Sequence, residues 1–438
     1  MSSRFSRREF ARVAVAGMGA AALHSLTASA VPEKPTGIPM MWVGAVTHEG
    51  GVVKVKLQPQ AAARLLVIAE GAEPIIFQPE PLAEKMGTVR TFRLHGLASA
   101  TRYTCKLEVN GKLASYTPAT LRTFPKPGNA ASFAFAFASC ARTGSEHPVF
   151  DVIRKHDPAF FLHLGDLHYE NISRDDPQYF RAAWDTVLAS ATQGALYRSV
   201  PLAYMWDDHD FGPNDADARA PSRAAARRVY REYAPHYPLP AGEGDAAIYQ
   251  AFSIGRARFI MTDLRSERSP KNARDGSGKT MLGAAQKEWF KRELVASSRT
   301  HAVIFWASSV PWIGAADHSD AWPGYADERR EIANFIAQNG IRNLVILCGD
   351  AHMLAADDGT NSDYSDARGL RIPVLHGSAL DQGASFKGGP YSHGFHLPEL
   401  GEGCFGWVDV RDEGDGVHVE FTGRDEFNEV KVRLSFAV

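Results

Sequence analysis

Only four of the 438 residues are cysteine. Cys105, Cys140, Cys348 and Cys404 lie far apart, without the paired spacing of structural zinc sites, and most are expected to stay unpaired even in an oxidising compartment. The chain also lacks a long apolar run. Val13 to Leu23 is too short to cross a bilayer and no other window approaches that length, so no membrane span is expected in the mature chain. An excess of either charge is missing too: 48 Lys and Arg against 50 Asp and Glu leave a formal charge of −2, and nothing suggests a nucleic-acid surface. What is present is 45% apolar and 22% charged residues, enough for a sizeable core in roughly two domains.

The first thirty residues read as an address. Ser6-Arg7-Arg8-Glu9-Phe10 precedes the short apolar stretch, and Ala28-Ser29-Ala30 supplies small residues for cleavage. This is the pattern of a twin-arginine export signal, which implies contact with the twin-arginine machinery and a periplasmic or secreted product. Without residues 1–30 the chain loses four arginines and one glutamate, so the formal charge falls from −2 to −5.

From Met41 to Thr123, short β-branched or apolar runs alternate with turns such as Asn110-Gly111, as in a β-sandwich. Leu97-Ala-Ser-Ala-Thr-Arg-Tyr103 resembles the tyrosine corner of fibronectin type III domains. Residues 31–127 are thus expected to form a small all-β domain. It holds no cluster of His or Asp, and Pro125-Lys-Pro-Gly-Asn129 follows as a linker.

Residues 131–438 interleave strands and helices, as a layered α/β domain does. Helices are expected at 146–156, 216–233, 282–296 and 326–338, with strands at 202–206, 257–261, 302–306, 344–348 and 373–376. The strands end in residues a packed core would not choose. Ala131-Ser-Phe-Ala-Phe-Ala-Phe-Ala-Ser-Cys140 stops at a thiol followed by Arg142. Phe161 leads through Gly165 to Asp166 and Tyr169, Trp206 to Asp207, Asp208, His209 and Asp210, Met261 to Asp263 and Arg265, and Cys348 to Asp350 and His352.

Ligands of open α/β sheets sit at strand ends. One carboxylate there is usually a cap, and one histidine usually an ordinary polar residue. Five such ends in one domain carry more anionic and neutral donors than a sheet edge tolerates without cations, which points to a di-metal site. Carboxylates suit a hard cation such as calcium, a thiolate with a phenolate suits ferric iron, and zinc fits Cys and His. His163, His168, His301, His318 and His396 have no such company. Cys348 reads as a small core residue, and Asp357 and Asp358 as loop solvation.

Together Ala138-Ser-Cys140, Gly165-Asp166-Leu-His-Tyr169, Trp206-Asp-Asp-His209 and Gly349-Asp350-Ala-His352 resemble the alkaline phosphatase D family of the calcineurin-like metallophosphatase superfamily. Thr262-Asp-Leu-Arg265, Leu282-Gly-Ala-Ala-Gln-Lys-Glu-Trp289 and Gly324-Tyr-Ala-Asp-Glu-Arg329 add to the likeness. The resemblance implies a four-layer αββα catalytic domain preceded by the small sandwich, with iron and calcium. It makes Asp166 the bridging carboxylate, places Cys140, Tyr169 and His352 on iron and Asp208 and Asp350 on calcium, and turns His209 towards substrate. Asp210-Phe-Gly-Pro-Asn-Asp215 departs from many relatives; Asn214 suits a ligand or a loop cap.

The reaction so implied is hydrolysis of phosphomonoesters or phosphodiesters of small molecules by a metal-activated hydroxide. Arg142 would steady the phosphate oxygens and His209 protonate the leaving oxygen. Arg265 fits that role or a structural pair with Asp263. A purple-acid-phosphatase-like enzyme also matches Gly-Asp-x-x-Tyr, but Cys140 and Asp350 stand where it needs histidines. A phosphate- or metal-binding surface protein without turnover would tolerate a broken ligand set, and this set is intact.

Overall fold

A computed structural model of the protein describes residues 40–82, 88–317 and 319–438. The expected export signal and His318 lie outside the described residues.

Two large sheets face each other, one of nine strands and one of seven. The strand Phe133–Ala138 shows why they pack. Its phenylalanines point to one side and its alanines to the other. Phe135 meets Phe305 of the opposite sheet at 5.3 Å between ring centroids and stacks on Phe160 at 5.0 Å. Ala136 and Ala138 instead lie under the helices Pro148–Lys155 and Pro177–Ala189, whose Val149, Ile153, Phe180 and Trp184 fill the space that small side chains leave. On the far side, Ala284–Thr300 and Ala326–Gln338 bury Phe290, Leu294 and Ile332 against Ile304, Trp306 and Ile346 of the seven-stranded sheet. Helix, sheet, sheet and helix make the four αββα layers. A buried aromatic of this inner layer is worth about 3–5 kcal/mol against alanine.

In the nine-stranded sheet, Phe133–Ala138, Phe161–His163, Leu202–Tyr204 and Met40–Gly44 run parallel side by side. In the other, Ala257–Met261, Val303–Ser308, Leu344–Cys348 and Val374–Gly377 do the same. Their carboxyl ends gather at one edge.

The N-terminal region does pack two sheets together. Ala63–Ala69, Ile75–Phe77, Arg102–Val109, Lys112–Leu113 and Ala119–Arg122 form a five-stranded sheet. Its partner, Met40–Gly44, Gly51–Lys56 and Val89–Leu94, runs on into the nine-stranded sheet through Gly44 beside Leu202. Leu65, Val67 and Leu107 therefore share one core with Phe135 and Leu162. The Ala98 N–H donates to the Tyr103 hydroxyl at 2.9 Å, as a tyrosine corner does.

Several expected boundaries move. The helix expected from 216 begins at Arg223, because Pro213 and the chain to Ser222 cross the site edge as a loop. The strands Cys404–Asp412, Val417–Asp425 and Val430–Ala437 complete the nine-stranded sheet. Among the described residues no helix is long and apolar enough to cross a membrane.

Candidate active site

The shared edge holds the thiol, phenol, imidazole and carboxylates. Cys140 follows Phe133–Ala138 and its Sγ lies 3.5 Å from Asp166 Oδ2. The Tyr169 hydroxyl donates to the same oxygen at 2.9 Å and lies 3.3 Å from His352 Nε2. His352 is held from behind, its Nδ1 on the Gly383 carbonyl at 2.5 Å. That contact keeps the proton on Nδ1 and leaves the Nε2 lone pair towards the site. Burial pushes His352 down to about 4, so the imidazole is neutral at ordinary pH.

The backbone is bent to make this possible. Cys140, Asp166 and Asp350 have φ of +64°, +57° and +60°, a region costing a non-glycine residue on the order of 1–3 kcal/mol and concentrated at functional sites. Gly165 has φ +101°, and a Cβ there would stand 2.5 Å from Asp207 Cβ. Gly349 is equally confined: its Cβ would meet Ser139 Oγ at 2.9 Å. Ser139 links the two sheets, bonding Ser378 Oγ at 2.8 Å and accepting the Asp350 N–H at 3.2 Å.

Four aspartates follow Trp206 or Met261, and three of them are engaged in bonds that brace the site, although Asp207 Oδ2 has no partner among the described residues. Asp207 takes Arg265 Nε at 2.5 Å and the Ser309 hydroxyl at 2.7 Å. Asp210 turns back to accept the N–H groups of Asp166, Leu167 and Asp207 at 2.5, 2.8 and 3.0 Å, which shapes the Asp166 turn. Asp263 accepts Trp206 Nε1 and the Ile248 N–H, both at 2.9 Å. Asp208 faces the site, with the Asp215 N–H on its Oδ2 at 2.6 Å. Ligand atoms of Asp166, Asp208 and His209 lie within 4.8 Å of one another, and so do those of Asp208, Asp215 and Asp320.

His209 stands opposite His352. Its Nδ1 is 2.8 Å from Asn171 Oδ1, its ring lies on Tyr169 at 4.0 Å between centroids, and its Nε2 is left for the cleft. Asn171 Oδ1 also accepts the Asn214 N–H at 3.0 Å, so Asn214 enters through its backbone. Arg142 sits at the rim, its N–H on Asp381 Oδ1 at 2.6 Å and Nε on the Asp381 carbonyl at 3.1 Å. Its side chain is 63% exposed.

The sequence profile of the PhoD-like phosphatases matches residues 135–387, more than half of the chain. The chain belongs to the PhoD-like phosphatase family. It is therefore a hydrolase of phosphoric ester bonds. A solved structure described as PhoD superposes with a TM-score of 0.70 at 19% identity, over 93% of each chain, and so has the same fold. Lesser likenesses are a dimetal phosphatase from Danio rerio (TM-score 0.40, 13% identity, 70% of this chain and 98% of that one) and the GAP50 anchor of the Plasmodium inner membrane complex (0.43, 11%, 70% and 89%). No curated protein sequence matches the chain significantly.

Membership of this family implies metal cofactors, and the donor set fits them. Among the described residues Asp166 Oδ1 and Asp350 Oδ2 are buried with no hydrogen-bond partner, an arrangement that leaves acceptor lone pairs for a cation even though Lys387 meets the other oxygen of Asp350. Burial, then the charges of Asp208, Asp207 and Asp210, hold the Asp166 carboxyl well above its ordinary range. Burial also raises Cys140, with Asp166 and Asp350 adding to it, and raises Tyr169 beside Asp166. Burial pushes Asp350 up to about 7 against the pull of Lys387. Asp208 goes the other way: burial is the largest single influence and pushes it up, but Arg265, His209 and the Asp215 N–H together outweigh it and hold it low.

The structure brings together Cys140, Asp166, Tyr169, Asp208, Asp350 and His352, with His209 and Arg142 at the rim. Arg265 pairs through its side chain with Asp207 and Asp320, and only its backbone N–H reaches Asp263. Asp357 is a buried turn former, bonding the Gly359, Asn361 and Ser392 N–H groups. Sequence reasoning missed Asn171, Asp215, Asp320, Asp381 and Lys387, whose Nζ lies 2.6 Å from Asp350 Oδ1. Four of them stand on loops away from a strand end, where sequence offers no period or motif to single them out, and Asp381 follows Val374–Gly377 by four residues without a ligand motif.

Proposed function

We propose that this family member is an exported phosphoesterase holding iron through Cys140, Tyr169 and His352 and calcium through Asp208 and Asp350, with Asp166 between them. The observation that carries the reading is the convergence of a thiol and a phenol on the same oxygen of Asp166, at 3.5 and 2.9 Å. Soft and phenolic donors on one side and carboxylates on the other suit two unlike cations. When bound, the cations supply positive charge that polarises the phosphate and acidifies water.

Hydrolysis adds one water across a P–O bond: the water oxygen joins phosphorus, and the leaving oxygen departs with the electron pair of the broken bond and takes up a proton. His209 would give that proton, a role supported by the hold of Asn171 Oδ1 on its Nδ1 at 2.8 Å. With both ring nitrogens protonated, Nδ1–H stays on Asn171 and Nε2–H is free for the departing alkoxide. Arg142, anchored through Asp381, keeps its Nη groups without partners among the described residues and free for phosphate oxygens. The twin-arginine route carries folded proteins and suits a site loaded before export. Zinc is the alternative to iron.

Metal analysis of the exported protein, with rates on matched phosphomonoesters and phosphodiesters, tests the reading. Asp166→Asn should lose metal and activity together, because a neutral bridge cannot hold two cations. Activity kept by that variant, or undiminished after verified metal removal, would overturn it.

A further inference from the structure

The chain from Ser378 to Gly403 loops over the catalytic edge and carries Asp381, Gly383 and Lys387, the partners of Arg142, His352 and Asp350. The foot of this loop is a second cluster. His396 pairs across from Leu354 on a short strand, and Cys404 opens the long strand Cys404–Asp412. Ligand atoms of His396, Glu402 and Cys404 lie within 4.8 Å of one another. His396 Nε2 is 3.0 Å from both Glu402 oxygens, and the Glu399 N–H fixes Glu402 Oε2 at 2.7 Å.

Cys404 is wholly buried, and its thiol has no hydrogen-bond partner among the described residues. A buried free thiol ordinarily lies among apolar side chains, as Cys348 does among Ile346, Tyr391 and Val374. Cys404 also belongs to the apolar core between the sheets, but unlike Cys348 it has an imidazole and a carboxylate within reach of its sulfur. The surroundings are anionic: the Gly403 N–H bonds Glu426 at 3.0 Å, and Lys431 is shared by Asp425, Glu429 and Glu402 at 2.8, 2.9 and 3.9 Å.

Nitrogen, sulfur and oxygen donors in one place suit zinc, whereas a hard cation takes oxygen alone. A thiolate and a carboxylate neutralise a divalent ion, so no net charge is left at the buried end of the cluster. We propose that His396, Glu402 and Cys404 form a three-ligand zinc site, separate from the catalytic centre, that clips the foot of the 378–403 loop. Zinc replaces the thiol proton, which passes to solvent, and water takes the fourth position.

The test uses the full-length protein stripped of metal and titrated with zinc against a chromophoric chelator, with circular dichroism as a check of fold. His396→Gln, at a partly exposed position, and Cys404→Ser should each bind one zinc fewer per chain than the wild type. With cobalt in place of zinc, Cys140→Ser should keep a thiolate-to-metal charge-transfer band, and Cys140→Ser combined with Cys404→Ser should lose it. Unchanged zinc stoichiometry in a folded His396→Gln, or loss of the band through Cys140→Ser alone, would overturn the site. Either result leaves the catalytic reading untouched, since none of these three ligands serves it.

Discussion

Arg265 is wholly buried against Asp207, its Nε 2.5 Å from Oδ1, and Asp320 takes the other end of the guanidinium at 3.2 Å. The arginine thus joins the strand end after Trp206 to the loop before Trp322 and sets the charge beside Asp208. Removing it leaves buried carboxylates unpaired, which costs on the order of 3–5 kcal/mol. Arg265→Met should lower the midpoint of denaturant unfolding accordingly, and Arg265→Lys should recover only part of it, because an ammonium cannot fork between two carboxylates. An unchanged midpoint in Arg265→Met, with a raised KM, would make it a substrate contact instead.

The ligand set was legible because it sits where strands end, and strands are readable from alternation. Phe133, Phe135 and Phe137 against Ala134, Ala136 and Ala138 fix both the strand and its two faces. The identity of the counter-charges was not. Arg265 lies two residues from Asp263 in sequence, yet its side chain reaches Asp207, 58 positions away. Lys387 belongs to a loop whose path depends on Ser139, Ser378 and the two sheets meeting. His396 looked ordinary because Glu402 and Cys404 carry no motif with it. The same holds for the strand Met40–Gly44, whose parallel partner Leu202–Tyr204 is remote in the chain.

The carboxylates at the site predict an inverted pH dependence for the metal-free protein. Asp350 and Asp210 are both pushed up to about 7, each chiefly by burial, whereas an unfolded aspartate titrates near ~3.9. A raised carboxylate contributes stability that is full below the unfolded value and is lost as pH rises through the folded one. Stripped protein should therefore gain thermal stability as pH falls from about 8 towards 5. Below about 4, Asp208 and Asp320, which are held low, take the stability away again. Metal binding should release protons across the same window, measurable by calorimetry in buffers of different ionisation enthalpy. A metal-free protein that destabilises steadily from pH 8 to 5 would contradict this.

His209 and Asn171 form one unit, and their variants should differ in kind. His209→Ala should keep the metals and slow kcat by roughly 10² to 10⁴ on esters with poor leaving groups, with a smaller effect on good ones. Asn171→Ala removes the oxygen that holds Nδ1 at 2.8 Å and should give a milder loss with the same leaving-group dependence. Equal losses on good and poor leaving groups would assign both residues to binding.

Export is expected to depend on Arg7 and Arg8, since paired arginines ahead of a weakly apolar stretch are what this route reads. Replacing both with lysine should hold the precursor in the cytoplasm, seen by cell fractionation and by the retained length of the chain. Mature protein outside at the normal level would reject the assignment.

Colour separates iron from zinc at the thiolate and phenolate. A thiolate and a phenolate are electron-rich, and ferric iron has room in its d shell to accept charge from them. Zinc, whose d shell is full, cannot give such a band. Cys140 and Tyr169 meet at Asp166 Oδ2, so one iron would draw charge from both. The concentrated protein should therefore be coloured, and Cys140→Ser and Tyr169→Phe should each move the visible band. Cys348→Ser should not, since Cys348 is wholly buried in the core behind the opposite sheet. A colourless and fully active protein holding zinc would replace iron with zinc on Cys140 and His352 and reduce Tyr169 to a hydrogen-bond donor to Asp166.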